Sequence, residues 1–242
     1  MRAIIAALTV VYLIWGSTYL AIRIAVQGIP PGLCAGLRFD IAGALMLAYA
    51  LARGHKLPTR MQDWRNVALT GVLLLVGGNG LVTWSEQWVQ SNLAALIVAT
   101  AALWIAWLGT LGLQGEKLNA LIIIGLLLGF AGVAALVGGG VHQHQAPILA
   151  YAGLLAAPFC WALGSIHSKR RPVAAHYLVT AALQMLIAGI CMTLAGLLCG
   201  EWSRVHWQLE SLAALVYLIV FGSCIGYAAY FADPDGHLWE SA

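Results

Sequence analysis

The sequence predicts an all-α polytopic membrane protein built from inverted five-helix repeats, the second incomplete, with about eight spans instead of ten. Three observations lead there. Of 242 residues, 62% are hydrophobic and only 9% charged, against roughly 25% charged in a soluble domain. Mean hydropathy is +0.87. Apolar segments of bilayer length recur between short polar breaks, and the chain matches itself without gaps at a shift of 146 residues.

The expected spans are Ile4 to Ala25, Gly32 to Ala52, Val67 to Trp84, Asn92 to Leu113, Asn119 to Gly138, Ile148 to Ser168, Tyr177 to Leu198 and Leu212 to Phe231. Each can cross ~30 Å of hydrocarbon at 1.5 Å per residue. Ala, Leu and Gly dominate without the alternation of a membrane barrel, so the spans are helices. The first run continues past Trp15 with no small-x-small cleavage site, so it reads as a retained span, not a signal peptide. With the N-terminus in the cytoplasm, the inner segments hold Arg2, Arg53, Lys56, Arg60, Arg65, Lys117, Lys169, Arg170 and Arg171, and the outer loops only Arg204. This bias sets the orientation. Trp88, Trp202 and Trp207 fall where outer-interface anchors belong.

The repeat places Trp15 on Trp161, Ala35 on Ala181, Arg38 on Gln184, Ala42 on Ala188, Gly43 on Gly189 and Gly80 on Gly226. Five spans precede residue 140, and an odd number forces the second copy to sit inverted. The expected division is 1–140 for the first repeat, 148–231 for three spans of the second, and 232–242 for an atypical polar tail. The counterpart of Glu116 would lie beyond Ala242, which reads as a truncation, with a natural eight-span form as the alternative. Gly32-x-x-x-Gly36, Gly36-x6-Gly43 and Gly125-x-x-x-Gly129-x-x-Gly132 put small residues on single faces for close helix packing.

Charges inside spans face a bundle interior or a watery cavity. Arg38 lies about 9 Å inside the second span at helical rise. It either snorkels to the headgroups or holds a substrate carboxylate or phosphate in its planar fork. Asp40 is about 200° around the helix from Arg38, so it needs another partner. Arg23, at similar depth, is the expected ion-pair partner; a proton on Asp40 is the alternative. The repeat adds Trp15, Ser17 and Thr18 on the first span, Asn79 and Trp84 on the third, Trp161 and Ser165 on the sixth, Gln184 on the seventh and Tyr227 on the eighth as pathway candidates, with helix packing as the plainer reading of each. Tyr230 lies in the same region. Rings supply broad apolar contact, and hydroxyls and amides orient a ligand.

Nothing points to catalysis. No H-E-x-x-H, P-loop or nucleophile elbow is present. His142 and His144 lack a third ligand nearby, and the five cysteines form no C-x-x-C, so no metal or cofactor is expected. Glu116 and Lys117 read as a helix-end pair. A net charge of +3 does not suggest nucleic acid.

The stretches IWGSTYLAIRIA, PPGLCAGLRF, GGNGLVTWSEQ and GEKLNALIIIGLLLGFAGVAAL, in this order and spacing, resemble the EamA branch of the drug/metabolite transporter superfamily. The resemblance implies ten helices in two inverted five-helix repeats, cytoplasmic termini and a central cavity, with Arg38 on the cavity side. It implies export of small metabolites, often amino acids. Three departures stand out. Ala102 replaces a proline common before the "LW" of the fourth span, putting a kink there in doubt. Asp40 is outside the pattern, and the last two helices are absent. The expected function is therefore secondary transport of small organic metabolites across the cell inner membrane by alternating access. The alternative is a truncated, non-transporting membrane protein or partner that associates, as a homo-dimer for example, through its Gly-rich faces.

Overall fold

The computed structural model describes residues 2–111, 120–140 and 146–227, and every regular element among them is helical. Glu116, Lys117, His142, His144, Tyr230 and the tail 232–242 lie outside the described residues. Eight helical rods follow one another: α1 (Arg2–Ala25), α2 (Pro31–Ala52), α3 (Met61–Ser85), α4 (Ser91–Gly109), α5 (Ala120–Gly140), α6 (Ile148–Arg170), α7 (Tyr177–Leu198) and α8 (Leu209–Ile225). By length and composition, α2, α3, α4, α6 and α7 suffice to cross a membrane. α5 is 21 residues long without a charge.

Two starts differ from the expectation by more than two residues. α3 begins six residues before Val67, because Asp63 in its first turn complements the positive helix end. α8 begins at Leu209 rather than Leu212, with Glu210 placed likewise. α4 is interrupted at Ala99–Thr100, so Ala102 in place of proline does not keep this rod continuous. Thr100 Oγ1 instead donates to the Ile97 carbonyl at 2.6 Å, the kind of side-chain bond back to the preceding turn that bends helices.

α2 and α7 form the centre. They begin 146 residues apart, at Pro31 and Tyr177, and end 146 apart, at Ala52 and Leu198. They pack antiparallel: Gly32 meets Gly196, Gly36 meets Thr193, Gly189 meets Asp40, and Gly43 meets Ala182 and Leu186. Small residues let the backbones approach, which supplies van der Waals contact where lipid gives no hydrophobic drive. Phe39, Ala42, Ala182, Met185 and Ala188 are fully buried in this seam. The flanking helices keep the same relation: α8 packs on α1, and α3 on α6.

α3 and α8 share a further irregularity. Each widens into a π-helical stretch, Val72–Gly80 and Leu218–Ile225, starting 146 residues apart. Such widenings take main-chain groups out of the regular ladder and recur at functional sites.

Candidate substrate site

Arg38 is the centre of the site. Its place on the central helix α2 buries it, at 2% exposure, so the snorkelling alternative is not what the fold adopts. Nε donates to Ser223 Oγ at 2.8 Å and Nη2 to the Gly222 carbonyl at 3.1 Å. Both acceptors lie on the π-helical stretch of α8. Gly222 leaves room for the fork: a Cβ there would come 3.1 Å from Nη2 and 3.5 Å from Thr18 Oγ1. The third nitrogen, Nη1, is buried with no hydrogen-bond partner among the described residues. The guanidinium carbon stands 4.8 Å from the Phe39 ring centroid, a favourable cation–π distance.

Rings from α1, α2, α6 and the residues just past α8 form a connected cluster that reaches this charge through Phe39. Trp15 of α1 meets Trp161 of α6 edge-on at 5.9 Å and Tyr227 at 6.4 Å; Phe39 meets Tyr227 edge-on at 6.5 Å. Tyr227 follows directly on α8. Asn79, in the π-helical stretch of α3, donates from Nδ2 to the Tyr227 hydroxyl at 3.2 Å. Gly78 and Gly226 make space for the indoles, since a Cβ would stand 2.9 Å from Trp161 Cε3 and 3.1 Å from Trp15 Nε1 respectively. The arrangement offers one buried cationic donor in an aromatic wall, suited to a small organic molecule carrying an acid group.

Trp15, Thr18, Arg38, Asn79, Trp161 and Tyr227 are thus brought together. Four sequence candidates lie elsewhere. Ser17 Oγ stands 2.6 Å from the Tyr217 hydroxyl. Trp84 packs edge-on with Trp88 at 5.0 Å and beside Gly153. Ser165 donates to the Trp161 carbonyl of its own helix at 2.9 Å. Gln184 is buried with its backbone against Gly71 of α3. Because α2 and α7 are antiparallel, Gln184 lies level with α2 residues beyond Gly43, away from Arg38.

The Arg23–Asp40 ion pair is corrected by the structure. Asp40 Oδ2 accepts from Thr193 Oγ1 of α7 at 2.7 Å, while Arg23 donates to the backbone carbonyl of Glu86. Equal depth is no contact: Asp40 points into the α2–α7 seam, and Arg23 toward the end of α3.

Besides Asp63, two buried acids were not singled out in the sequence. Glu201 is buried between α7 and α8, and its carboxylate accepts from the backbone N–H of Leu33 at 2.8 Å and of Gly32 at 3.3 Å, capping α2. Glu86 is fully buried, and neither carboxylate oxygen has a hydrogen-bond partner among the described residues. It stands within the stretch TWSEQ, one residue past a span, where an acid reads as loop surface. Charge alone gave no signal; only packing distinguishes it.

The model of the EamA-like transporter family matches residues 1–138. The chain belongs to the EamA-like transporter family. It is 40% identical over 229 residues to the uncharacterized inner membrane transporter YedA of Escherichia coli (strain K12), covering 93% of this chain and 72% of YedA. It is 27% identical to the uncharacterized transporter YvbV of Bacillus subtilis (strain 168), over 90% of this chain and 71% of that protein. It is 26% identical to a probable amino-acid metabolite efflux pump of Escherichia coli (strain K12), over 94% of this chain and 76% of the pump. One solved crystal structure superposes with a TM-score of 0.65 at 24% identity, over 92% of this chain and 75% of the other, which speaks to the fold. This EamA-family chain is accordingly a membrane protein of a transporter family, not of an enzyme family.

Proposed function

We propose that this protein is a secondary transporter, an exporter in the inner membrane, of small organic metabolites such as amino acids. Arg38 holds the acid group of the substrate, and Trp15, Trp161 and Tyr227 hold its apolar part. The observation that carries this reading is the buried Arg38 guanidinium, with Nη1 unpartnered and aromatic rings around it. A buried cation is costly unless something compensates it, and an anionic ligand group does so. The names of YedA and of the amino-acid metabolite efflux pump favour the same membrane and substrate class.

Alternating access between two inverted repeats is the proposed mechanism. It is supported by the antiparallel seam of α2 and α7 and by π-helical stretches at equivalent places in α3 and α8. In this reading the eight rods are eight crossings with the N-terminus cytoplasmic, as the Lys and Arg bias requires. The test is flux of a labelled amino-acid panel in vesicles reconstituted with the full chain. Arg38→Lys is expected to weaken uptake or release, because a point charge loses the bidentate fork. Arg38→Ala is expected to abolish it. Saturable flux unchanged in Arg38→Ala overturns the anchor role.

A further inference from the structure

Glu86 is the first residue past the span Met61–Ser85, at the bundle end where α1 ends, α2 begins and α3 ends. That end is the outer one by the positive-inside bias. Glu86 is 0% exposed, and both carboxylate oxygens lack a hydrogen-bond donor. An ionised carboxylate so placed forgoes water and gains no hydrogen bond in return. Tyr19 and Arg23 from α1 and Cys34 and Arg38 from α2 lie within its electrostatic reach. The outer half of α6, which packs against the end of α3, contributes Tyr151 as its one ionisable side chain. Arg23 is engaged by the main-chain carbonyl of Glu86 rather than by the carboxylate. Burial pushes the Glu86 carboxyl up to about 9, with Arg23 and Arg38 pulling it back.

We propose that Glu86 is the proton-carrying group of this protein: it holds a proton while buried as seen here and gives it up when this end of the bundle opens to water. The inference rests on the alternating-access reading above. On opening, the carboxyl O–H bond breaks, the proton goes to a water molecule, and the electron pair stays on the carboxylate. That carboxylate then faces the Arg23 and Arg38 guanidinium groups and is hydrated. On closing, desolvation favours recapture of one proton from water. Because Arg38 lies within reach of Glu86, proton load and engagement of an anionic substrate group are coupled, and the coupling is reciprocal. Asp40 of α2 is less suited: it is only half-buried, and its Oδ2 already accepts from Thr193.

The test has two arms on the full chain. Infrared difference spectroscopy in lipid at neutral pH is expected to show a protonated-carboxyl C=O band. It should be lost in Glu86→Gln, retained in Asp40→Asn, and titrate away in alkaline buffer. No band lost in Glu86→Gln overturns the proposal. In the second arm, flux of the amino-acid panel is measured with and without an imposed pH gradient. About fivefold or greater stimulation by the gradient is expected, absent in Glu86→Gln. Stimulation retained in Glu86→Gln also overturns it. If the unaltered chain shows no saturable flux, the transport reading fails, while the infrared arm still decides whether Glu86 carries the proton.

Discussion

Two glycine sets look alike in the sequence and behave oppositely in the fold. Gly32, Gly36 and Gly43 of α2 sit against α7 so closely that an added Cβ would stand 2.6 Å from the Thr193 backbone nitrogen at Gly36 and 2.9 Å from the Ala182 carbonyl oxygen at Gly43. Gly125 and Gly132 of α5 meet nothing within 4 Å among the described residues, and Gly129 meets only the flexible Leu103 side chain, at 2.9 Å. Spacing on one face permits close packing; it does not supply the partner. The difference teaches where backbone packs directly on backbone. The α2–α7 seam, which carries Arg38 on α2, is closed at this level, whereas among the described residues the contacts of α5 leave room.

The largest expected effect tests the seam directly. Gly36→Val drives a branched side chain into α7 backbone that cannot rotate away, with a cost at or above the ~3 kcal/mol upper end of ordinary overpacking. The protein is expected to lose its cooperative thermal transition in detergent. A transition within a few degrees of the parent would break the contrast between the two sets.

At the outer end of the same seam, Glu201→Ala removes the carboxylate that accepts from the Gly32 and Leu33 N–H groups. Loss of a helix cap costs roughly 1–2 kcal/mol, so a smaller fall in melting temperature is expected, with hydrogen exchange accelerated at Gly32 and Leu33. Exchange unchanged at those two amides would remove the cap from the account.

The other end of the bundle carries a pH-sensitive contact. His55 and His176 stack at 3.6 Å between ring centroids, 12° from parallel. His176 Nδ1 accepts from the Leu178 N–H at 3.3 Å, at the start of α7. Burial and the His55 charge hold His176 below the ordinary histidine value. The folded protein therefore favours the neutral ring. Its contribution is complete above about 6.5 and is lost as pH falls through the depressed value. Melting temperature is expected to drop slightly more between pH about 7 and about 5 in the parent than in His176→Asn, since Asn keeps a capping oxygen that does not titrate. Parallel pH profiles would contradict it.

The smallest effect belongs to α5. Gly125→Ala and Gly132→Ala put a methyl into open space and recover helix propensity of up to about 1 kcal/mol. Melting temperature should stay level or rise slightly. A marked fall would show that these glycines have a partner and would make the two sets alike after all.

Much of the architecture was legible from composition. Bilayer-length apolar runs cannot avoid helical structure in lipid, so the order of rods and most of their ends followed directly. The 146-residue offset was legible too, and α2 and α7 keep it at both ends. Trp15, Arg38, Asn79, Trp161 and Tyr227, which the structure clusters, were legible as candidates because polar and aromatic groups at matching depths stand out against Leu and Ala. The sequence by itself determined the helices, their order and which polar and aromatic side chains lie within the spans. Only the tertiary structure decided which of those residues meet. Depth along a span says nothing of azimuth, so Asp40 faces Thr193 rather than Arg23. The antiparallel seam likewise sends Gln184 to α3 while Arg38 goes to α8. Burial of Glu86 arises where α1, α2 and α6 meet the end of α3, with neighbours more than 50 residues apart in sequence, which no local pattern around TWSEQ could encode.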